Sequence, residues 1–133
     1  SKQWILTPHM GEFSALCNTD ASDLDTNARI RLTQQYANKW NVTLLLKGYP
    51  SAVAQPNRRT LIGLAGGPAL ATAGTGDVLA GLTAGLAAQG LSPADAAACA
   101  MHLGGRAAEH FAVDHASRTL SPRDLIDHLP AAL

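Results

Sequence analysis

Gly74-Thr75-Gly76-Asp77-Val78-Leu79-Ala80-Gly81 is the stretch whose residue types could do chemistry. Glycines let backbone N–H groups come close to an anion, and a helix starting here aims unpaired donors and partial positive charge at the same point. Asp77 falls in the first turn of that helix, where its carboxylate could take the proton of a hydroxyl being phosphorylated. The donors would meanwhile stabilise the transferring phosphoryl group. A plainer use exists: Asp77 caps the helix and the glycines permit a tight turn. The run of small residues from Gly66 through Gly81 is longer than a cap needs, which favours an anion or phosphate site. No Gly-Lys-Ser/Thr follows, so the loop is not of Walker A type. Nor does it follow a first strand, as a dinucleotide-binding Gly-x-Gly-x-x-Gly would.

Other polar residues are weighed the same way. His9 follows a strand end beside proline and is either a site residue or a surface-loop histidine. Glu12 is either a ligand-site carboxylate or a first-turn acid that suits the helix dipole. Lys47 could hold phosphate as a point charge, or point to solvent from a strand end. His102 sits among alanines and reads as a core histidine with a satisfied hydrogen bond. Trp4 and Trp40 read as core edges, not base-stacking surfaces. Arg29, Arg31, Arg58 and Arg59 read as a solvated face and a turn.

A scaffold must position these groups. Ile5 and Leu6 form a strand that Thr7-Pro8 stops. A short helix over Gly11 to Asn18 places Phe13, Leu16 and Cys17 on one side. Asp25-Thr26-Asn27 offers caps for a helix from Ala28 to about Lys39. Val42 to Leu46 is an apolar run suited to a strand covered on both faces. Ser51 to Gln55 and Thr60 to Leu64 are two short strands around a turn at Pro56-Asn57. A helix from about Gly76 to Gln89 stops at Gly90. Ser92-Pro93 starts one that runs to about His110. Ser121-Pro122 starts a last helix, Arg123 to Leu129, ended by Pro130. Gly81 and Gly85 share a helix face with Ala84 and Ala88, and the cost of glycine there, about 1 kcal/mol each, predicts a neighbour packed on bare backbone.

This order predicts an α/β fold with a central parallel sheet of which only two or three strands are present. A doubly wound layer needs more strands. The chain is therefore expected to be a fragment that opens mid-domain, with about half the sheet supplied from elsewhere.

The 133 residues suffice for one core, and ten Lys and Arg balance ten Asp and Glu. That balance points to neither nucleic acid nor a membrane as partner. Much of the 47% apolar content is alanine, so the core relies on close backbone packing. Cys17 and Cys99 are too few for a disulfide framework; they fit free buried thiols in a reducing, cytoplasmic compartment. No zinc-ligand spacing is present, and no metal-ligating residue is assigned. Val78 to Leu91 is too short and small-sided to span a bilayer and reads as a buried core helix. The N-terminus lacks the apolar run of a signal peptide.

Several motifs together resemble one family. Thr7-Pro8-His9-Met10-Gly11-Glu12 resembles the TPHxGE motif of the ADP/ATP-dependent NAD(P)H-hydrate dehydratases, in the ribokinase-like superfamily. Lys47-Gly48 resembles their LKG motif, and Gly66 through Gly81 their GNPxxA and GTGDVLAG run. His102-Leu103-Gly104-Gly105-Arg106-Ala107 and Ser121 through Ile126 resemble their late HGxAA and AxDLI stretches. Order and spacing fit along nearly the whole chain.

The resemblance implies a three-layer α/β/α ribokinase-like fold with a mainly parallel central sheet, residues 1–133 being its C-terminal part. It implies dehydration of the hydrated nicotinamide ring of NADHX or NADPHX, with ADP or ATP as phosphoryl donor and Mg²⁺ as cofactor. The ring hydroxyl is phosphorylated and phosphate is then expelled, driven by the enamine nitrogen. By motif position, His9 contacts the hydrated substrate, and Lys47, Gly48, Tyr49, Pro50 and Ser51 surround the adenine nucleotide. Gly74, Thr75 and Gly76 form its phosphate loop, while Asp77 is the substrate contact and base. The expected partners are the N-terminal half of the same domain, an epimerase domain and further copies in a homo-oligomer. The chain departs from the pattern at Gly67, where the family commonly has Asn, at His102-Leu103, and at Tyr49-Pro50-Ser51. A related small-molecule kinase acting on a stable alcohol and a non-catalytic nucleotide-binding fragment are the rival readings.

Overall fold

The computed structural model describes residues 3–133. Strands β1 (Ile5–Leu6), β2 (Thr43–Leu46), β3 (Ser51–Ala54) and β4 (Leu61–Gly63) form one sheet in that order. β1 and β2 are parallel, with Ile5 opposite Thr43, whereas β2–β3 and β3–β4 are antiparallel, with Leu45 opposite Val53 and Val53 opposite Leu61. The sheet is thus mixed: the parallel character is confined to β1–β2 among the described residues. The connections explain this, because a whole helical crossover separates β1 from β2, while short turns join the later strands and force reversal.

Helices α1 (Met10–Cys17) and α2 (Thr26–Trp40) cover one face. Each starts at a side-chain cap, His9 and Asp25, and each ends on an asparagine in the left-handed region, Asn18 and Asn41. Their apolar sides meet Leu44, Leu46, Ala52 and Ala54. Phe13 is fully buried and sits edge-on to Tyr36 and Trp40, at ring separations of 5.8 and 6.5 Å. On the other face Leu45 and Val53 meet Ala97 and Met101 of α4 (Pro93–Asp114), with Leu79 of α3 (Thr75–Ala88) beside them. Helix α5 (Pro122–Ala132) closes this layer against α4 through Leu125 and Phe111. Strand β2 is buried along its length because both faces are covered, as its apolar run predicts.

Several expectations need correction. Helix α5 runs through Pro130, ending at Ala132 and not at Leu129. The missing N–H of Pro130 frees only the carbonyl of Ile126, and Ile126 is half exposed, so water can serve it. Helix α4 extends to Asp114, and short 3-10 turns occupy Gly67–Ala71 and Ser117–Thr119. Leu16 is 56% exposed in an open groove beside β1, and Trp4 is 60% exposed. His102 and Cys99 are exposed, because the buried seam of α4 runs through Ala97, Met101, Gly104, Ala108 and Phe111. Helix α3 is not wholly buried: Gly81, Ala84, Gly85 and Ala88 are exposed, and nothing lies within 4 Å of a β-carbon built at Gly81 or Gly85. The expected neighbour on that face is absent among the described residues.

Candidate functional site

The loop before α3 is held from three sides. Ala65-Gly66 lies directly on the backbone of α4: a β-carbon at Gly105 would stand 2.5 Å from Ala65 Cβ and 2.7 Å from its carbonyl carbon. Glu109 accepts the Gly66 N–H at 3.1 Å and is itself held by Arg106 at 2.7 Å. The Gly66 N–H above all keeps its carboxyl below the usual range, with Arg106 adding to it, against an opposing desolvation. The buried Thr75 hydroxyl lies 2.7 Å from the carbonyls of both Leu70 and Thr72, which fixes the turn onto the start of α3. Behind Gly74, at φ 87°, a β-carbon would meet Pro122 Cγ at 2.6 Å.

At this helix start the Thr75 and Asp77 amides donate to Thr72 and Gly74 carbonyls. Among the described residues the Gly76 amide has no such partner. Lys47, which follows β2, packs against the α-carbon of Gly76: its Nζ lies 3.0 Å from where a Gly76 β-carbon would stand. The Lys47 side chain is only 17% exposed, so it turns inward and not to solvent. Its own amide donates to Pro8 at 2.9 Å, which ties the end of β2 to the loop after β1.

That loop carries His9, the cap of α1. Its Nδ1 accepts the Glu12 N–H at 3.2 Å, and the Glu12 carboxylate accepts the His9 N–H at 2.8 Å, a reciprocal capping box. The Glu12 carboxyl is held below the usual carboxylate range, chiefly by the His9 N–H, with the Lys47 charge adding to it, against an opposing desolvation.

A cavity of about 520 Å³ joins these pieces and is lined by His9, Glu12, Lys47, Gly48, Gly76 and Asp77 together with the rest of the Gly74-Thr75 turn. Asp77 is exposed at its rim. Ser51 lines a narrow neighbouring cleft that shares Lys47, Gly48, Thr75 and Gly76. Its hydroxyl is turned back on the Gly48 carbonyl at 2.6 Å. Tyr49, half exposed, and Pro50 line neither space. Sequence reasoning left Glu12 undecided and did not mark Glu109 or Pro122. The His9-x-x-Glu12 spacing is the legible signal for the first; the other two act across long separations and leave none.

An ammonium and a free helix-start amide beside a carboxylate can bind a phosphoryl group and accept a proton next to it. The chain superposes with a TM-score of 0.78 on a ribokinase-like superfamily protein from Enterococcus faecalis, 26% identical, covering 96% of this chain and 42% of that one. Fold and site together define a ribokinase-like α/β domain. Within that class, a family model described as NAD(P)H-hydrate dehydratase matches residues 1–131, and the chain belongs to this family. It is 52% identical over 127 residues to the bifunctional NAD(P)H-hydrate repair enzyme Nnr of Salinibacter ruber, covering 96% of this chain and 23% of that protein. It is 32% identical, with a TM-score of 0.91, to the ADP/ATP-dependent NAD(P)H-hydrate dehydratase of Bacillus subtilis co-crystallized with ATP/Mg2+; the match covers 98% of this chain and 47% of that one. The chain thus spans about half or less of the relatives it matches.

Proposed function

We propose that this chain is the C-terminal part of one domain of an ADP- or ATP-dependent dehydratase, a lyase that returns hydrated NADH or NADPH to the intact cofactor. One observation carries the reading: Lys47, the Gly76 amide and Asp77 converge at one helix start that shares its cavity with His9. The Gly76 amide and Lys47 hold the terminal phosphate of the nucleotide, with Gly48 and Ser51 on its other side. Asp77 takes the proton from the ring hydroxyl as its oxygen bonds to phosphorus and the bond to the leaving nucleotide breaks. Phosphate then leaves with the electrons of the carbon–oxygen bond as the lone pair of the ring nitrogen forms a C=N⁺ bond. The adjacent ring carbon gives up a proton to the departing phosphate or water, which restores the neutral ring with its carbon–carbon double bond. His9 contacts the hydrated ring.

Among the described residues no three His, Cys, Asp or Glu side chains cluster as a metal cage. Of the cavity-lining side chains only Glu12 and Asp77 are acidic, and Glu12 is engaged by His9 and Lys47. This donor set fits Mg²⁺ carried by phosphate oxygens and water, with Asp77 as its protein neighbour; the ion would supply charge neutralisation on the phosphates. The remaining half of the domain would come from a segment like the uncovered half of the Bacillus relative. An epimerase domain, as the bifunctional name of the Salinibacter relative suggests, assembly into a homo-oligomer and a cytoplasmic setting complete the proposal. No helix among the described residues is long and apolar enough to cross a membrane.

The test is incubation with NADHX and ADP or ATP. NADH absorbance should return with release of phosphate. Asp77→Asn should lower turnover by at least about 10²-fold while nucleotide still binds. Full turnover in Asp77→Asn defeats the reading, and a stable phosphorylated product without NADH points to the kinase.

A further inference from the structure

Glu12 touches both flanks of the site, and the proposed reaction gives it no task. Its Oε2 accepts the His9 amide at 2.8 Å and lies 3.9 Å from Lys47 Nζ, while Oε1 lies 3.4 Å from His9 Nε2. The Glu12 amide donates in turn to His9 Nδ1. That bond uses the Nδ1 lone pair, so the neutral ring carries its proton on Nε2. Gly11 permits the arrangement: a β-carbon there would stand 3.2 Å from His9 Cε1 and crowd the ring as it folds back.

Charge alone gives no reason for a carboxylate here. Glu12 lines the same cavity as Lys47 and Gly76, and by Coulomb's law it repels an incoming phosphate. At 3.9 Å and half exposed, the Lys47 pair adds little to stability. Its effect is geometric. Lys47 enters from β2 and His9 from the β1–α1 loop, and Glu12 bonds the loop while facing the ammonium.

We propose that Glu12 is a positioning residue: its carboxylate clamps the His9 loop and the Lys47 ammonium together, so that His9 presents Nε2–H and Lys47 stands at the Gly76 amide when a nucleotide phosphate arrives. The clamp is a property of the ligand-free fold, and the identity of the anion rests on the nucleotide reading above. The role has a sign that separates it from plain electrostatics. Removing a like charge tightens phosphate binding; releasing Lys47 loosens it.

Two measurements on the full chain test this. In the ligand-free protein, NMR hydrogen exchange should find the His9 amide protected in the wild type and in Glu12→Gln, whose amide oxygen still accepts, and unprotected in Glu12→Ala. By calorimetry, Glu12→Gln should weaken ADP binding on the order of tenfold. In a Lys47→Met background the same change should cause no further loss, since no ammonium remains to be held, and the removed like charge should if anything tighten binding. Unchanged or tighter ADP binding in Glu12→Gln overturns the positioning role, as does a loss that persists undiminished with Lys47→Met. A His9 amide that exchanges equally fast in wild type and Glu12→Ala overturns the clamp. A protected His9 amide in a wild type that binds no ADP overturns the nucleotide reading, and the phosphate-directed role with it, but leaves the clamp standing.

Discussion

The two faces of the sheet are packed by opposite means. Against α1 and α2 the core is aromatic: Phe13 is wholly enclosed, with Tyr36 and Trp40 set edge-on around it. On the other side Leu45 and Val53 meet Ala97 and Met101, and the buried seam of α4 is otherwise mostly small, with Ala100, Gly104, Gly105, Ala107 and Ala108, so that a loop backbone rests on a helix backbone. Large side chains fill volume and stabilise; small ones let main chain approach main chain and fix where a loop sits. The glycine turn before α3 lies on the second kind of surface. The damaging change should therefore be truncation on the first face and enlargement on the second.

Four substitutions test that contrast, from the largest expected effect to the smallest. Phe13→Ala should cost about 3–5 kcal/mol in urea denaturation, because it opens a cavity under two other rings. A loss below about 1 kcal/mol would mean that the aromatic face is loosely packed. Gly105→Val should cost about 1–3 kcal/mol or more, since the new side chain meets Ala65 at 2.5 Å. It should also weaken ADP binding by shifting the Ala65-Gly66 turn, whereas Phe13→Ala in its folded fraction should not.

Gly76→Ala sharpens the point. Alanine in a first helical turn is worth up to about 1 kcal/mol over glycine, so stability should hold or rise. The added methyl group nevertheless crowds the Lys47 side chain, 3.0 Å from its Nζ, and must push it aside, so nucleotide affinity should fall. A variant that is both stable and fully competent to bind ADP would show that Lys47 has no fixed seat.

The smallest effect belongs to the start of α5. Ser121→Ala removes a side-chain cap and should cost about 1 kcal/mol. That difference should depend on acid. Asp124 is held below its ordinary value of 3.8 by the Ser121 hydroxyl and then by the Ser121 N–H. A carboxyl whose folded value is depressed stabilises above its unfolded value and loses that contribution as pH falls through the folded one. The gap between wild type and Ser121→Ala should therefore be full near neutrality and shrink below about pH 4; a gap constant down to pH 2 would remove Asp124 from the cap.

Much of this was legible beforehand. The buried β2 strand, the Asp25 and Ser92 caps, the strand pair around Pro56-Asn57 and the helix starting at the glycine loop all follow from short-range pattern. The family motifs pick out His9, Lys47, Gly48 and Asp77, which line one cavity. What pattern could not give was direction and distance. His102 looked enclosed because its neighbours are alanines, yet the seam of α4 turns it outward. Pro130 looked like a stop, although at an exposed helix end one lost N–H is tolerable. Gly81 and Gly85 looked like the place of a close backbone approach, but the fold puts it at Gly105, against Ala65. Glu109 reaches the Gly66 amide from far along the chain, and no local spacing announces such a bond.

Pro122 has a consequence for the order in which the protein is made. It is the wall behind Gly74, yet it is translated well after the loop it braces. On a ribosome emitting about 5–20 residues per second, the glycine turn leaves the exit tunnel seconds before its backing does. Until α5 docks on α4, the nascent chain holds that turn from two sides only. The seat of that turn is thus completed only after α5 has been translated.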